Sequence, residues 1–256
     1  MNKVVFITGA SRGIGFELAR VLLEKGAKVS VCARDQDKLD FAYNQLTQIS
    51  KNLFSLSVDL SSPQEVERFF KASMAYFGTV DILINNAGVG LFEEVEKSDE
   101  KDITKIFSIN FFSPISLIKH CLPVFRKKSR GHIVNISSII STHALYNQGY
   151  YAASKAALNR ITESIDAECK KDNIHTTLVL PDRTKSHFRE HVLGPKENAV
   201  LPGNSLREAD PRKVAIGIVQ AIEENKSYHY TSFRAFIFAI LSVICPRIIR
   251  IFLGKS

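Results

Sequence analysis

The sequence predicts an α/β fold in which a doubly wound parallel sheet carries helices on both faces. Short apolar runs rich in β-branched residues alternate with longer amphipathic stretches along most of the chain. A glycine-rich turn at residues 8–15 directly follows the first apolar run. The length of 256 residues suits one such domain, and no internal repeat or low-complexity linker divides it.

The first half of the chain contains four predicted strands and three predicted helices. The strands are expected at residues 4–7, 29–32, 53–58 and 81–84. The helices are expected at residues 14–25, 38–50 and 63–77. Ser62 is a suitable N-cap for the third helix, which begins with Pro63 and stops at Gly78.

The second half continues the alternation. A long helix is predicted at residues 100–125, with Pro114 inside it, and another at residues 151–171. Strands are predicted at residues 132–136 and 176–180. Such helical crossovers are what connect the strands of a parallel sheet, because all of those strands run in one direction.

The C-terminal segment, residues 233–256, is predicted as a unit distinct from the catalytic domain at residues 1–232. Residues 235–245 are almost all apolar, but a helix that spans a bilayer needs about 20 residues. From residue 226 onward the chain has no carboxylate and five cations: Lys226, Arg234, Arg247, Arg250 and Lys255. The segment is expected to cover the substrate pocket or a subunit interface, to lie on an anionic membrane, or to re-enter it briefly.

The charge and cysteine patterns argue against several other classes of protein. The net charge is +8, but no nucleic-acid-binding motif accompanies it. The cysteines lie far apart and form no cluster with metal-binding spacing, so no metal is expected. The apolar run after Met1 is too short for a secretory signal, so the expected location is cytoplasmic, with peripheral membrane contact through residues 233–256 as an option.

The turn at residues 8–15 has the composition of a phosphate-binding turn in a Rossmann-type fold. Glycines permit a tight turn and bring backbone N–H groups close to a pyrophosphate, and the following helix N-terminus adds partial positive charge. The turn lies between a strand and a helix, as such a site requires. The residues expected to contact a dinucleotide are Gly9, Ser11, Arg12, Gly13, Ile14 and Gly15.

The end of the second strand predicts NADP(H) as the cofactor. An NAD site usually has a carboxylate here that binds the ribose 2′-OH, whereas this chain has Ala33 followed by Arg34. The guanidinium groups of Arg12 and Arg34 suit a 2′-phosphate. The alternative is that both are solvated surface cations, and the nearby Asp35 and Asp37 keep an NAD site open.

Tyr151, Lys155 and Ser138 are the candidate catalytic residues. Tyr151 and Lys155 are four positions apart on a predicted helix, so their side chains share a face. Ser138 follows a predicted strand, at the edge where parallel sheets present functional residues. The neighbouring Tyr150 and Ser137 are the competing hydroxyls. The spacing to Lys155 favours Tyr151 over Tyr150, and the spacing to Tyr151 favours Ser138 over Ser137.

At this point the sequence resembles the short-chain dehydrogenase/reductase family from residue 4 to about residue 224. The resemblance is carried by the glycine turn, Asp59-Leu60, the Asn-Asn-Ala-Gly run at residues 85–88, Asn110, Ser138 and the Tyr-x-x-x-Lys pair. It implies hydride transfer between a nicotinamide and a carbonyl or secondary alcohol.

The resemblance also implies a role for each catalytic residue. Tyr151 would be the general acid, and the ammonium of Lys155 is expected to lower its pKa from about 10 and to hold the nicotinamide ribose. Ser138 would hydrogen-bond the carbonyl oxygen. Asn110 would support a water in the proton relay, although it could instead cap or kink its helix.

Further cofactor contacts follow from the resemblance. They are expected at Asp59, Leu60, Asn86, Ala87, Gly88, Tyr151, Lys155, Pro181 and Thr184. Asp182 departs from the family pattern, since a glycine often follows the proline at this position. The Pro-x-x-Thr-x-Ser arrangement of residues 181–186 is similar to some long-chain sphingoid ketone reductases in the family.

The substrate is expected to be a hydrophobic or lipid-like ketone, because the C-terminal segment is apolar. A 3-oxoacyl carrier-protein reductase is the first alternative, with basic patches at residues 126–128 and 183–189 to receive an acidic carrier protein. A non-catalytic NADP(H)-binding sensor or scaffold is the alternative from another class. Family resemblance suggests a homodimer or homotetramer formed through the helices at residues 100–125 and 151–171.

Overall fold

Seven strands form a parallel sheet, which confirms the predicted α/β class. In this computed structural model the described residues are 1–185, 188, 192–199, 208–247 and 249. The strands are β1 (Val4–Thr8), β2 (Lys28–Ala33), β3 (Leu53–Ser57), β4 (Ile82–Asn85), β5 (Gly131–Ile136), β6 (Ile174–Leu180) and β7 (Tyr228–Tyr230). Their order across the sheet is β3-β2-β1-β4-β5-β6-β7.

The order of the strands creates a crevice in the middle of the sheet. The chain moves outward from β1 through β2 to β3, and then crosses back so that β4 pairs with the other side of β1. At such a reversal the connections after β1 and β4 leave in opposite directions. Open α/β sheets bind their ligands in this crevice, outside the carboxyl ends of the strands.

Helices cover both faces of the sheet. They are α1 (Gly13–Glu24), α2 (Gln36–Leu46), α3 (Pro63–Phe77), α4 (Glu100–Phe107), α5 (Ser113–Lys128), α6 (Gly149–Cys169), α7 (Pro211–Glu223) and α8 (Phe233–Ile244). The predicted cap of α3 is confirmed, because the Ser62 hydroxyl accepts the N–H of Glu65 at 3.4 Å. The helix ends at Gly78, whose φ of 73° is a left-handed conformation that glycine adopts readily.

Alternate side chains of β1 separate the core into two layers, because successive residues of a strand point to opposite faces. Ile7 packs in the layer that contains Leu18 of α1 and Ile218 of α7. Phe6 packs in the opposite layer with Phe69 of α3. All of these side chains are fully buried, so both faces of the sheet are covered and only its edges and ends remain for function.

The predicted continuous helix at residues 100–125 is wrong in one important detail. A π-helical turn, Ser108–Phe112, separates α4 from α5 and contains the fully buried Asn110. Pro114 lies in the first turn of α5, where a missing N–H costs little. Helix α2 also ends earlier than predicted, at Leu46, and α7 and β7 lie where the sequence patterns predict no element.

The C-terminal helix α8 has one buried and one exposed face. Ala235, Ala239 and Ser242 are buried against the body of the protein. Phe233 and Ile244, by contrast, are 78% and 75% exposed. Among the residues that the structure describes, no helix has both the length and the apolar character needed to cross a membrane. Arg250 and Lys255 lie outside the described residues.

Candidate active site

A cleft of about 1450 Å³ runs along the carboxyl ends of the strands, across the reversal point between β1 and β4. Nearly all of the predicted site residues line it. They are Gly9, Ser11, Arg12, Gly13, Ile14, Gly15, Arg34, Asp59, Leu60, Asn86, Ala87, Gly88, Ser138, Tyr151, Lys155, Pro181 and Thr184. The exception is Asn110, which lies behind the cleft wall. Segments far apart in sequence therefore meet in one site.

Glycines in the first turn are required by the close approach of backbone segments. A Cβ on Gly9, which has a φ of 70°, would lie 2.8 Å from the Cα of Ala87. A Cβ on Gly15 would lie 2.3 Å from the carbonyl oxygen of Gly9. Arg12 occupies the N-cap of α1 and its side chain has no acceptor, so it cannot cap the first-turn N–H groups. These N–H groups and the tight backbone fit a dinucleotide pyrophosphate.

Asn86 holds the turn after β1 against the loop after β4. Its Nδ2 donates to the carbonyl oxygens of Thr8 and Gly9, both at 2.9 Å. In return the Thr8 hydroxyl accepts the N–H groups of Asn86 at 3.1 Å and Ala87 at 3.0 Å. The role of Asn86 in the structure is therefore to fix the shape of the phosphate-binding turn.

The adenine-ribose end of the cleft is rich in cations. Arg12, Arg34 and Lys38 all line it. Asp35 lines it too, but its carboxylate caps α2 by accepting the N–H of Lys38 at 3.1 Å and pairs with the Lys38 ammonium at 2.8 Å. The Asp35 carboxylate is thus already engaged, whereas Asp37 lies on the first turn of α2, outside the cleft lining.

Asp59 follows β3 and lies on the floor of the same end. Burial raises the pKa of its carboxyl, but hydrogen bonds from Ser61 and the charges of Arg34 and Lys105 outweigh this and leave the pKa below its usual value. Oδ1 accepts both the N–H and the hydroxyl of Ser61, at 2.9 and 2.8 Å. Asp59 is partly exposed and lines the cleft, so its carboxylate is suited to accept from an amino group of a ligand.

Ser137 and Ser138 have different partners after β5. The Ser137 hydroxyl donates to Oδ1 of Asn159 at 2.5 Å, inside the core. The Ser138 hydroxyl accepts the N–H of Ile140 at 3.2 Å, and it acts on the Tyr151 phenol by lowering the pKa of that phenol. Of the two serines, Ser138 is therefore the one that lies beside the predicted acid in the cleft lining.

Tyr151 is almost buried, and its ring lies between two phenylalanines. The ring centroid of Phe92 is 6.5 Å away and that of Phe188 is 5.8 Å away. Burial raises the pKa of the Tyr151 phenol above its ordinary value, and the hydrogen bond to Ser138 opposes this only in part. In the chain by itself this pKa thus lies above its ordinary value, and the expected lowering by Lys155 stays a prediction.

Lys155 points toward the floor of the cleft. Its ammonium donates to the carbonyl oxygen of Ile136 at 2.9 Å, and burial lowers its pKa to about 8. A Cβ on Gly88 would lie 3.2 Å from Nζ, so the glycine lets the loop after β4 pass close to the amine. The direction of the Tyr151 pKa is therefore set by burial of the phenol.

Asn110 forms the hydrogen bonds that support the loop after β4. Its Nδ2 donates to the carbonyl oxygen of Val89 at 2.9 Å and to the hydroxyl of Ser154 at 3.0 Å. Its Oδ1 accepts the N–H of Val89 at 2.9 Å. The π-helical turn brings this side chain inward, so α5 and α6 are tied to the cleft floor. The role of Asn110 in a water-mediated relay stays a prediction.

Several cleft residues were not singled out from the sequence. Phe92, Phe188 and Phe238 line the substrate end together with Arg234. Their spacing along the chain has no local pattern, because they come from three separate loops and helices. Asp182 was noticed only as a departure from the family pattern, which was the one available signal. Ser186, and Arg189 in the second basic patch, lie outside the described residues.

Comparisons with known proteins identify the class. A family model described as short chain dehydrogenase matches residues 3–195, so the chain belongs to the short-chain dehydrogenase family. An oxidoreductase of Staphylococcus aureus (strain N315), whose printed description calls it uncharacterized, is 28% identical over 225 residues, which cover 88% of this chain and 93% of the relative.

Solved structures agree with the family. A metagenomic short-chain oxidoreductase in complex with NADP is 28% identical, with a TM-score of 0.74 over 88% of this chain and 93% of that one. A short-chain dehydrogenase/reductase from Burkholderia phymatum in complex with NAD is 22% identical and shares the fold, with a TM-score of 0.85 over 100% of this chain and 96% of that one. The protein is an oxidoreductase of this type that binds a nicotinamide cofactor and a small-molecule substrate.

The lowered pKa of Lys155 makes stability depend on pH. Between about pH 8 and pH 10.5 the unfolded chain binds this proton more tightly than the folded protein, so the free energy of unfolding rises with pH there. We expect the wild type to gain stability relative to Lys155→Met across this range, by at most about 3 kcal/mol at about 1.4 kcal/mol per pKa unit.

Urea unfolding of both proteins at several pH values measures this difference, with the exposed Lys127→Met as the matched control. The quantity compared is the free energy of unfolding of the wild type minus that of Lys155→Met. If it stays constant or falls as the pH rises, the lowered pKa of Lys155 is contradicted.

Proposed function

We propose that this oxidoreductase interconverts a ketone and its secondary alcohol through Ser138, Tyr151 and Lys155. The observation that carries the proposal is that Ser138, Tyr151 and Lys155, which come from two separate segments of the chain, line the same cleft, with Lys155 one helical turn after Tyr151. A nicotinamide cofactor, when bound, supplies or accepts the hydride. The chain's own residues must orient the carbonyl and exchange a proton with its oxygen.

Because its pKa is raised, the Tyr151 phenol is protonated at neutral pH and can serve as the acid of ketone reduction. A phenol that stays protonated can donate to a carbonyl oxygen, whereas alcohol oxidation needs the phenolate as base. Ser138 is suited to donate a second hydrogen bond to the same oxygen as negative charge develops there. Lys155 carries its charge below about pH 8 and is suited to hold ribose hydroxyls beside the nicotinamide.

NADP(H) is the cofactor that the adenine-ribose end supports. A 2′-phosphate is a dianion, and Arg12, Arg34 and Lys38 line the region that it would occupy. Asp35 would repel it, but the cap and ion pair with Lys38 neutralise part of its charge. The Arg34 side chain is exposed and therefore accessible to a phosphate.

A hydrophobic ketone is the substrate that the other end of the cleft supports. Phe92 and Phe188 flank the Tyr151 ring, and Leu145 and Phe238 also line this part. Large apolar side chains around the reacting oxygen favour an apolar substrate, because burying its surface stabilises the complex by about 25 cal/mol per Å². A lipid-like chain is therefore favoured over a small polar metabolite.

The basic patch at residues 126–128 gives little support to the carrier-protein alternative. Arg126 pairs with Asp172 at 2.9 Å, and Lys128 pairs with Asp81 and donates to the carbonyl oxygen of Val80. Two of its three cations are thus committed to intramolecular contacts. The non-catalytic alternative predicts that the protein binds cofactor without turnover, so measured turnover of a ketone contradicts it.

We also propose that residues 233–256 act as a unit of their own, which rests on a membrane surface. The exposed apolar side chains of α8 and the cation-rich, carboxylate-free sequence of the segment support contact with anionic lipid headgroups. Self-association through the outer faces of α4, α5 and α6 as a homodimer or homotetramer remains part of the proposal, supported by the exposed Phe112 next to α5.

Replacing Tyr151 tests the chemical proposal. Tyr151→Phe removes the proton donor and keeps the ring between its phenylalanines, so we expect kcat for ketone reduction to fall 10²- to 10⁴-fold. Tyr150→Phe is the matched control, since it removes an adjacent hydroxyl, and it should retain most of the activity. NADPH fluorescence titration should show bound cofactor in both variants, and full turnover by Tyr151→Phe contradicts the proposed role.

Replacing Arg34 tests the cofactor. Arg34→Ala should raise KM for NADPH at least tenfold and leave KM for NADH nearly unchanged, because only NADPH carries the phosphate. Arg20→Ala, on the exposed side of α1, serves as the control for loss of a surface cation. A wild-type protein with equal or better catalytic efficiency on NADH argues against the NADP(H) preference.

Replacing the exposed residues of α8 tests membrane contact. The triple variant Phe233→Ser, Val243→Ser and Ile244→Ser should lose co-sedimentation with vesicles that contain phosphatidylglycerol, while the wild type binds these vesicles more strongly than phosphatidylcholine vesicles. Phe41→Ser, at a 69% exposed position on α2, controls for loss of one surface aromatic. Equal behaviour of wild type and triple variant contradicts this part of the proposal.

A further inference from the structure

We infer that Asp182 and Arg234 form a latch that holds α8 as one wall of the substrate end of the cleft and so determines which ketones fit. The inference rests on the proposed function and deepens it, because it assigns a positioning role to a contact between the loop after β6 and the C-terminal segment. The inner face of α8 then belongs functionally to the active site, while its exposed face remains the one proposed for membrane contact.

The contact between Asp182 and Arg234 has a geometry that fixes direction as well as distance. Nε of Arg234 donates to Oδ2 of Asp182 at 2.8 Å, and Nη2 donates to Oδ1 at 2.9 Å. Two parallel charge-assisted hydrogen bonds constrain the orientation of a guanidinium far more than a single contact. The first turn of α8 is therefore held at one angle to the loop after β6.

Neighbouring groups complete the latch. The Ser232 hydroxyl donates to Oδ2 of Asp182 at 2.9 Å, and the N–H of Arg183 donates to Oδ1 at 2.7 Å. The N–H of Asp182 in turn donates to the Thr231 hydroxyl at 2.9 Å. Both oxygens of the carboxylate are thus satisfied twice, and three residues at the start of α8 share in the contact.

The charge state of the latch is stable at working pH. Asp182 has only 6% of its side chain exposed, and burial acts to raise the pKa of its carboxyl. The hydrogen bonds from Arg234, Arg183 and Ser232 outweigh this effect and keep the pKa below its usual value. The Asp182 carboxylate therefore stays ionised at every pH above about 4, the ordinary range for an aspartate. Its ion pair with Arg234 is lost only as the pH falls below that value.

The position of the latch connects it with the chemistry. Pro181, next to Asp182, accepts the N–H of Ile139, the residue that follows Ser138. Arg234 and Phe238 are four residues apart, so they lie on the same face of α8, and both line the cleft. A change in the angle of α8 would therefore move the Phe238 ring relative to the site of carbonyl reduction.

A purely structural ion pair would have different consequences. Loss of such a pair lowers stability and affects all substrates in proportion, whereas loss of a wall affects large substrates more than small ones. The effect on selectivity therefore separates the two roles. Phe238 offers an independent test, because removing the ring should reproduce the change in selectivity with the ion pair intact.

The test compares kcat and KM on a short and a long-chain methyl ketone with NADPH, for wild type, Arg234→Gln, Asp182→Asn, Arg234→Lys and Phe238→Ala. The ratio of kcat/KM for the long ketone to that for the short one should change at least fivefold in Arg234→Gln, Asp182→Asn and Phe238→Ala, mainly through KM of the long ketone. Arg234→Lys should recover less than half of the effect, because lysine lacks the fork.

Asp172→Asn is the matched control, because it breaks an Arg–Asp contact of the same length, to Arg126, outside the cleft lining. It should leave the ratio unchanged. Proportional losses on both ketones in Arg234→Gln and Asp182→Asn, or no loss, overturn the inference. Hydrogen exchange of residues 233–244 gives a readout that needs no turnover: exchange should accelerate in Arg234→Gln and Asp182→Asn but not in Asp172→Asn, and unchanged protection also overturns the inference.

If the wild type reduces neither ketone while exchange responds as expected, the proposed function has failed and the latch has not. Thermal unfolding shows whether each variant folds. If Arg234→Gln or Asp182→Asn does not, the results with Phe238→Ala and Arg234→Lys decide whether the inference holds.

Discussion

The site depends first on how closely the turn after β1 approaches the loop after β4. Gly9 and Ala87 are so near that any side chain at Gly9 would clash with the backbone. The amide of Asn86 then holds the turn in shape through two carbonyl oxygens. Because the strand order reverses at this point, the same contact shapes both the phosphate-binding turn and the loop after β4, which passes beside the catalytic side chains.

A second consequence of this close packing is that the pKa values of the titratable groups at the catalytic end are shifted. Asn110 fixes the backbone of Val89, and the narrow floor beside Gly88 encloses the Lys155 amine. Burial favours the neutral form of both titratable groups, so it raises the pKa of the Tyr151 phenol and lowers that of Lys155. The chain thus keeps its acid protonated at neutral pH, while the charge on its amine can change just above it.

Much of the fold and most of the cleft lining could be predicted from the sequence, because both follow from local patterns. Buried strands have apolar runs, and the glycine turn and the Tyr151 and Lys155 pair have fixed spacings. Features that depend on distant contacts could not be predicted. The π-helical turn places the Asn110 amide against the loop after β4, which is distant in sequence, and no spacing along the chain indicates the contact between Asp182 and Arg234. The direction of the Tyr151 pKa was missed because burial is not visible in a motif.

The central claim is that the carboxyl edge of the sheet holds a nicotinamide ring beside Tyr151 for transfer of hydride to a ketone. The most direct measurement uses NADPH deuterated stereospecifically at C4 of the nicotinamide, with mass spectrometry of the alcohol product. The account predicts one deuterium on the carbinol carbon from one of the two C4 positions and none from the other. Alcohol without deuterium from either cofactor, or no alcohol at all across a series of hydrophobic ketones, would contradict it.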